Sequence, residues 1–167
     1  YIEYYIPDRY KEGYGISDLG IEYCLENNFK LLISLDCGIK ANDKIDYAQE
    51  KGIDVIICDH HLEEDTLPKA VAILDPKRKG CQYPYKELSG CGVGFKFIQG
   101  YCQKFELPDQ LWLSKIDLVA ISIASDIVAI TGENRILAYY VLIIINRFPR
   151  LGVKSILEQA KIKVIKE

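Results

Sequence analysis

Two rhythms of apolar and polar positions run along this chain. Three short aliphatic runs, residues 31–35 in "KLLISLDCG", "DVIICDHH" from Asp54, and "AVAILDP" at 70–76, are too short for helices and read as strands. Helix-length segments lie around them. Residues 16–28 place Leu19, Ile21, Cys24 and Leu25 behind a Ser17 cap, and "KANDKIDYAQEKG" sets Ile45 and Ala48 ahead of a stop at Gly52. Strands alternating with helices predict βαβ units, hence an α/β fold whose parallel sheet is covered on both faces.

The rhythm changes after Pro76. Residues 76–89 are a loop rich in Lys, Gly, Tyr and Pro. After "SGCGVG", helical spacing covers 95–105, 109 to about 124, 134–146 and a last segment from Val153. The chain therefore reads as a single domain, with a βαβ half at 1–76 and a loop and helical half at 77–167. No repeat or interdomain linker interrupts it.

Composition narrows the class. With 167 residues, 49% of them apolar, the chain suffices for one compact core. No apolar run reaches the ~18 residues of a membrane helix, and no secretory signal opens the sequence. It contains no methionine, even at position 1, and is read as a piece of a longer protein. Six cysteines without a CxxC pair suit reduced thiols in a cytoplasmic protein. A net charge of −3 argues against a wholesale electrostatic grip on nucleic acid. The tail is locally basic, with Arg147, Arg150, Lys154, Lys161, Lys163 and Lys166 against Glu158 and Glu167. A solvated helix face explains that as well as a phosphate-binding edge does.

The chemistry gathers at strand ends, where ligands bind in open parallel sheets. Asp36 closes one predicted strand, and Asp59, His60 and His61 close the next, using both histidines of the chain at one point. A carboxylate and a neutral imidazole suit Mn²⁺, Mg²⁺, Fe²⁺ or Zn²⁺, with manganese favoured where oxygen ligands predominate. Single aspartates at strand ends are commonly turn or cap residues, so chemistry alone leaves a metal site and a structural role both open. Cys37 and Cys58 flank these positions and make a Cys/His zinc site the rival, although their spacing fits no compact zinc knuckle. In "DLVAISIASDIVAITGENR", Asp126 interrupts an apolar helix predicted over 118–130 and, if buried, needs a partner such as a metal ion. Asp117, at the head of that segment, reads as a cap or a solvent-facing acid.

Together, "LDCG", "DHH" after an apolar strand and "ASDIVAITGENR" resemble the DHH-family phosphoesterases. The opening "IPDRYKEGYGIS" and the spacer "LDPKRKGCQYPYKELSGCGVGFK" resemble the branch of single-stranded-DNA-specific exonucleases in particular. The likeness runs from about Pro7 to Leu157. It implies that Asp36 bridges metal ions, that His60 is a metal ligand and that Asp126 completes that ion's shell. His61 would contact the scissile phosphate, and Asp59 would orient a histidine. Arg9 and Arg135 are implied phosphate contacts, with surface salt bridges as the alternative. Gly90, Gly92 and Gly94 either present backbone N–H groups to phosphate or permit a tight turn.

The family's first motif, a DxD strand end with further metal ligands, lies upstream of the likeness. The expected activity is hydrolysis of single-stranded DNA from the 5′ end by two Mn²⁺ or Mg²⁺ ions, in DNA repair and recombination and beside replication or repair proteins. The isolated chain is expected to bind at most one ion well and to hydrolyse little. The alternatives are a hydrolase of short oligonucleotides, cyclic dinucleotides or pyrophosphate, and a non-catalytic DNA-binding scaffold. Tyr4, Tyr5, Tyr10 and Tyr14 are either packing aromatics or platforms for bases.

Overall fold

The computed structural model describes residues 1–163; Lys166 and Glu167 of the basic tail lie outside the described residues. The chain divides into two compact units, Tyr1–Lys86 and Glu87–Glu167.

The first unit is built on three parallel strands, β1 (Leu31–Leu35), β2 (Asp54–Cys58) and β3 (Ala72–Leu74), in the order β1-β2-β3. Leu35 pairs with Cys58 and Cys58 with Leu74, so all three strands end at one edge. Helix α1 (Asp18–Glu26) precedes β1, and α2 (Asn42–Glu50) crosses over to β2. The Ser17 side chain caps α1 by accepting from Gly20 N–H at 3.0 Å, satisfying a donor the first turn leaves open.

The helices lay Ile21, Ile45 and Ala48 against Val55 and Ile57, all fully or almost fully buried. The two periods explain this: residues four apart on a helix share a face, whereas alternate strand residues do. The second face of the sheet is less covered than the alternation predicts. Leu31, Ile33 and Leu35 of the edge strand β1 are 42–59% exposed. The strand's apolar content was legible, but what lies over each face was not.

The second unit is helical: α3 (Gly90–Lys104), α4 (Gln110–Leu113), α5 (Ile116–Ser125), α6 (Gly132–Arg147) and α7 (Leu151–Gln159). Phe95, Val119, Ile123 and Leu137 form its buried centre, and Val141, Ile145 and Val153 a second cluster.

Three expectations change here. The helix expected from 109 to 124 is two, α4 and α5, broken near Ser114 and Lys115. Asp117 is neither a cap nor solvent-facing: it is buried, and Arg150 grips both its oxygens at 2.8 Å. Nor does Asp126 interrupt a longer helix. It is the exposed residue that ends α5, so burial is not what makes it need a partner. In both cases apolar spacing set the expectation, and a charged side chain at a helix end decided the outcome.

Candidate metal centre

β1 ends by forcing its last acid into an unusual backbone state. Asp36 has φ +66, in the left-handed region that aspartate tolerates better than most residues. Its N–H still donates to Cys58 O at 2.8 Å, so the turn begins while the strand pair is intact. Two residues on, Gly38 has φ +117, and a Cβ there would sit 2.8 Å from Ser34 Oγ. "LDCG" is thus a turn in which an acid is presented and a glycine is required.

β2 ends beside it. Asp59 is 1% exposed, and its carboxylate accepts four hydrogen bonds. Ile39 N–H donates to Oδ2 at 2.9 Å. His60 N–H, His61 N–H and the His61 ring donate to Oδ1 at 2.7, 3.2 and 2.6 Å. Burial pushes the Asp59 carboxyl up, but these bonds outweigh it and hold the group below its ordinary value. A carboxylate only accepts, so the proton between it and His61 lies on Nδ1, leaving Nε2 for other work.

His60 is buried, with Nε2 3.1 Å from Asp36 Oδ1. Asp36, His60 and His61 each offer a ligand atom within 4.8 Å of the others. The donor set is one carboxylate and two imidazoles, which fits a divalent ion such as Mn²⁺ or Zn²⁺. Thiolate ligation fits less well. All six cysteines are free, neither Cys37 nor Cys58 joins this group, and burial pushes both thiols up to about 11. His61 also lines an open cleft of about 410 Å³ with Tyr14, Gly38, Lys40 and Asp59.

The other predicted residues are distributed as follows. Arg9 is exposed, with its guanidinium 5.3 Å from the centre of the Tyr14 ring. Arg135 is exposed in the first turn of α6. Neither forms an ion pair among the described residues, so the salt-bridge alternative is not realised there. Asp126 and Arg135 belong to the second unit. Tyr10 and Tyr14 are largely exposed, whereas Tyr5 packs on Tyr23.

Gly90, Gly92 and Gly94 are not a loop before a helix: they lie buried within the first turns of α3. Gly92 N–H is already taken by the capping Ser89 Oγ at 3.2 Å, which removes it as a phosphate donor. "SGCGVG" looked like a loop because glycine is a poor helix former. Close packing accounts for the glycine at 92, where a Cβ would meet Ser89 Oγ at 3.3 Å. One acid was missed altogether. Asp75 ends β3 and is 3% exposed, and its only sequence signal was the third strand run.

A parallel sheet thus gathers an acid and a histidine pair able to hold a metal ion at one edge. The model of the DHH family, N-terminal domain, matches residues 1–123, and the chain belongs to the DHH family. Its relatives include the single-stranded-DNA-specific exonuclease RecJ of Bacillus subtilis, 43% identical over 157 residues, covering 94% of this chain and 19% of that protein. RecJ of Escherichia coli is 34% identical over 171 residues, covering 95% and 29% respectively. The fold matches that of exonuclease RecJ bound to manganese, with a TM-score of 0.80 and 28% identity over 93% of this chain and 39% of that one. It also matches Thermus thermophilus RecJ in complex with Mn²⁺, with a TM-score of 0.69 and 26% identity over 83% and 21%. The chain spans less than a third of the length of these curated relatives.

Proposed function

We propose that the intact protein containing this chain is a cytoplasmic, metal-dependent exonuclease that degrades single-stranded DNA from the 5′ end, in DNA repair and recombination. One observation carries the reading: Asp36, His60 and His61 converge at the ends of two paired parallel strands, with His61 held by a buried carboxylate. The RecJ relatives, named single-stranded-DNA-specific exonucleases, support the choice of substrate, and their manganese-bound structures support the choice of ion.

Asp36 and His60 would hold Mn²⁺ or Mg²⁺. A divalent ion there supplies Lewis-acid stabilisation of phosphate charge and lowers the pKa of water. The chain's own groups supply orientation. Asp59 fixes the His61 ring through Nδ1, so Nε2 faces the scissile phosphate in one rotamer. The turn after β1 presents the Asp36 carboxylate to His60, 3.1 Å from Nε2. Arg9 and Arg135 carry the positive charge that a phosphate requires and contact the backbone of the strand.

The test is end-labelled single-stranded DNA with the intact gene product, in Mn²⁺ or in chelator. Release of mononucleotides from the 5′ end only with metal is the expected result. Survival of long strands alongside cleavage of dinucleotides or pyrophosphate would leave the metal centre and change the substrate. Binding of DNA without hydrolysis of any phosphoester would make the protein a scaffold.

A further inference from the structure

The sheet of the first unit places three acids at its carboxyl edge: Asp36 after β1, Asp59 after β2 and Asp75 after β3. Asp59 and Asp75 are neighbours. Cys58 pairs with Leu74, and Asp59 N–H donates to Leu74 O at 3.0 Å. Both acids are sealed from solvent, at 1% and 3% exposure.

They are served very differently. Asp59 accepts four hydrogen bonds over its two oxygens. Asp75 accepts one, from Lys77 N–H to Oδ1 at 2.8 Å, and its buried Oδ2 accepts none. Burial pushes a carboxyl with so few donors above its ordinary value of 3.8, and a cation close by would offset that cost. The register puts Asp75 at the end of the strand beside the one that carries Asp59 and His60. Yet it is not among the side chains whose ligand atoms lie within 4.8 Å of one another. It is thus a neighbour of that group and not one of its direct ligands. Hard divalent ions keep several of their waters, which leaves room for a carboxylate to act through one.

We propose that Asp75 is an outer carboxylate of the metal centre, its unused Oδ2 accepting from a water of the ion held by Asp36 and His60. The proposal rests on the reading of Asp36 and His60 as metal ligands. It makes Asp75 a positioning residue: it sets how tightly the ion is held and touches neither the DNA nor the reacting phosphate.

The test measures Mn²⁺ binding to the intact gene product through the paramagnetic resonance signal of the free ion, for wild type, Asp75→Asn and Asp36→Asn. Asp75→Asn keeps the shape and removes the charge. The expected result is a Kd for Mn²⁺ weakened about 10- to 100-fold. The rise in Tm on adding Mn²⁺ should shrink with it, because metal stabilises only through binding. Asp75→Ser retains an acceptor for Lys77 N–H; it is the second variant, and melting in chelator checks that both fold. An unchanged Kd in both Asp75 variants, with binding lost in Asp36→Asn, would overturn the role of Asp75 and leave the metal centre standing. Mn²⁺ binding that Asp36→Asn does not alter, or no binding by wild type, would overturn both.

Discussion

Both units bury polar side chains, and the two sets do different jobs. In the second unit, Asp117 is clamped by Arg150, Asn134 donates to the carbonyls of Glu87 and Ala129, and Ser89 caps α3. Each ties one stretch of chain to another. In the first unit, Asp59 holds His61, and Asp36 meets His60. Those bonds fix groups that can ligate metal or move protons. Burial by itself therefore does not mark a site. What a buried acid is bonded to does: an arginine and helix ends in one case, imidazoles at a strand edge in the other.

The strongest way to break this comparison is to remove a member of the metal-capable group. Asp36→Asn or His60→Ala should lower metal-dependent hydrolysis by about a thousandfold or more, since an ion contributes several kcal/mol to stabilising charge in phosphoryl transfer. Single-turnover assays with labelled DNA would measure it, with Mn²⁺ titration as the binding check. Retained turnover in either variant would mean that the strand-edge group is structural like its counterpart in the second unit.

Asp59→Asn sharpens the contrast further. Asparagine fills the same space and can still accept from Ile39 N–H, but it no longer fixes the His61 ring through a charged acceptor. Turnover should fall about a hundredfold, the lower end of what positioned acid–base groups contribute. The loss should appear in kcat with KM little changed and Mn²⁺ still bound.

The Asp117–Arg150 pair gives the opposite signature. Bonds to Arg150, reinforced by its charge, hold the Asp117 carboxyl below its ordinary value of 3.8. A depressed acid stabilises the fold above its unfolded pKa, and that contribution is lost as pH falls through the folded pKa. Asp117→Asn should cost about 1.5–3 kcal/mol near neutrality, as for hydrogen bonds to charged groups, and the difference should vanish in acid. Denaturant melts at pH 7 and below 3.8 would show both halves, while the Kd for Mn²⁺ stays put.

The sequence made the metal-capable strand edge more legible than the helical unit. Residues 31–35 match β1 at both ends, and "DHH" fell where β2 stops, because strand ends follow from short apolar runs bounded by polar residues. The pairing of Asp59 with His61 was open, since two adjacent histidines give no sign of which one a carboxylate will hold. Asp75 was invisible because a lone acid before proline reads as a turn. In the helical unit, apolar spacing found most of the helices. It missed the break between α4 and α5 and the burial of Asp117, which depends on Arg150 reaching it from far along the chain.

Backbone strain offers the finest comparison. Each unit holds a non-glycine residue in the left-handed region at a predicted acid position: Asp36 at φ +66, and Ile127, immediately after Asp126, at φ +54. Aspartate accepts that conformation with little penalty, but a β-branched residue does not. Ile127 is 89% exposed, so packing does little to repay it. Ile127→Gly should raise stability by about 0.5–1 kcal/mol, the relief of strain less the entropy of a freer unfolded chain. Asp36→Gly should gain less and lose Mn²⁺ binding. If the strain at Ile127 is kept for function, Ile127→Gly melts higher in chelator yet turns over more slowly with Mn²⁺. A gain in stability at unchanged turnover would make the strain at Ile127 incidental.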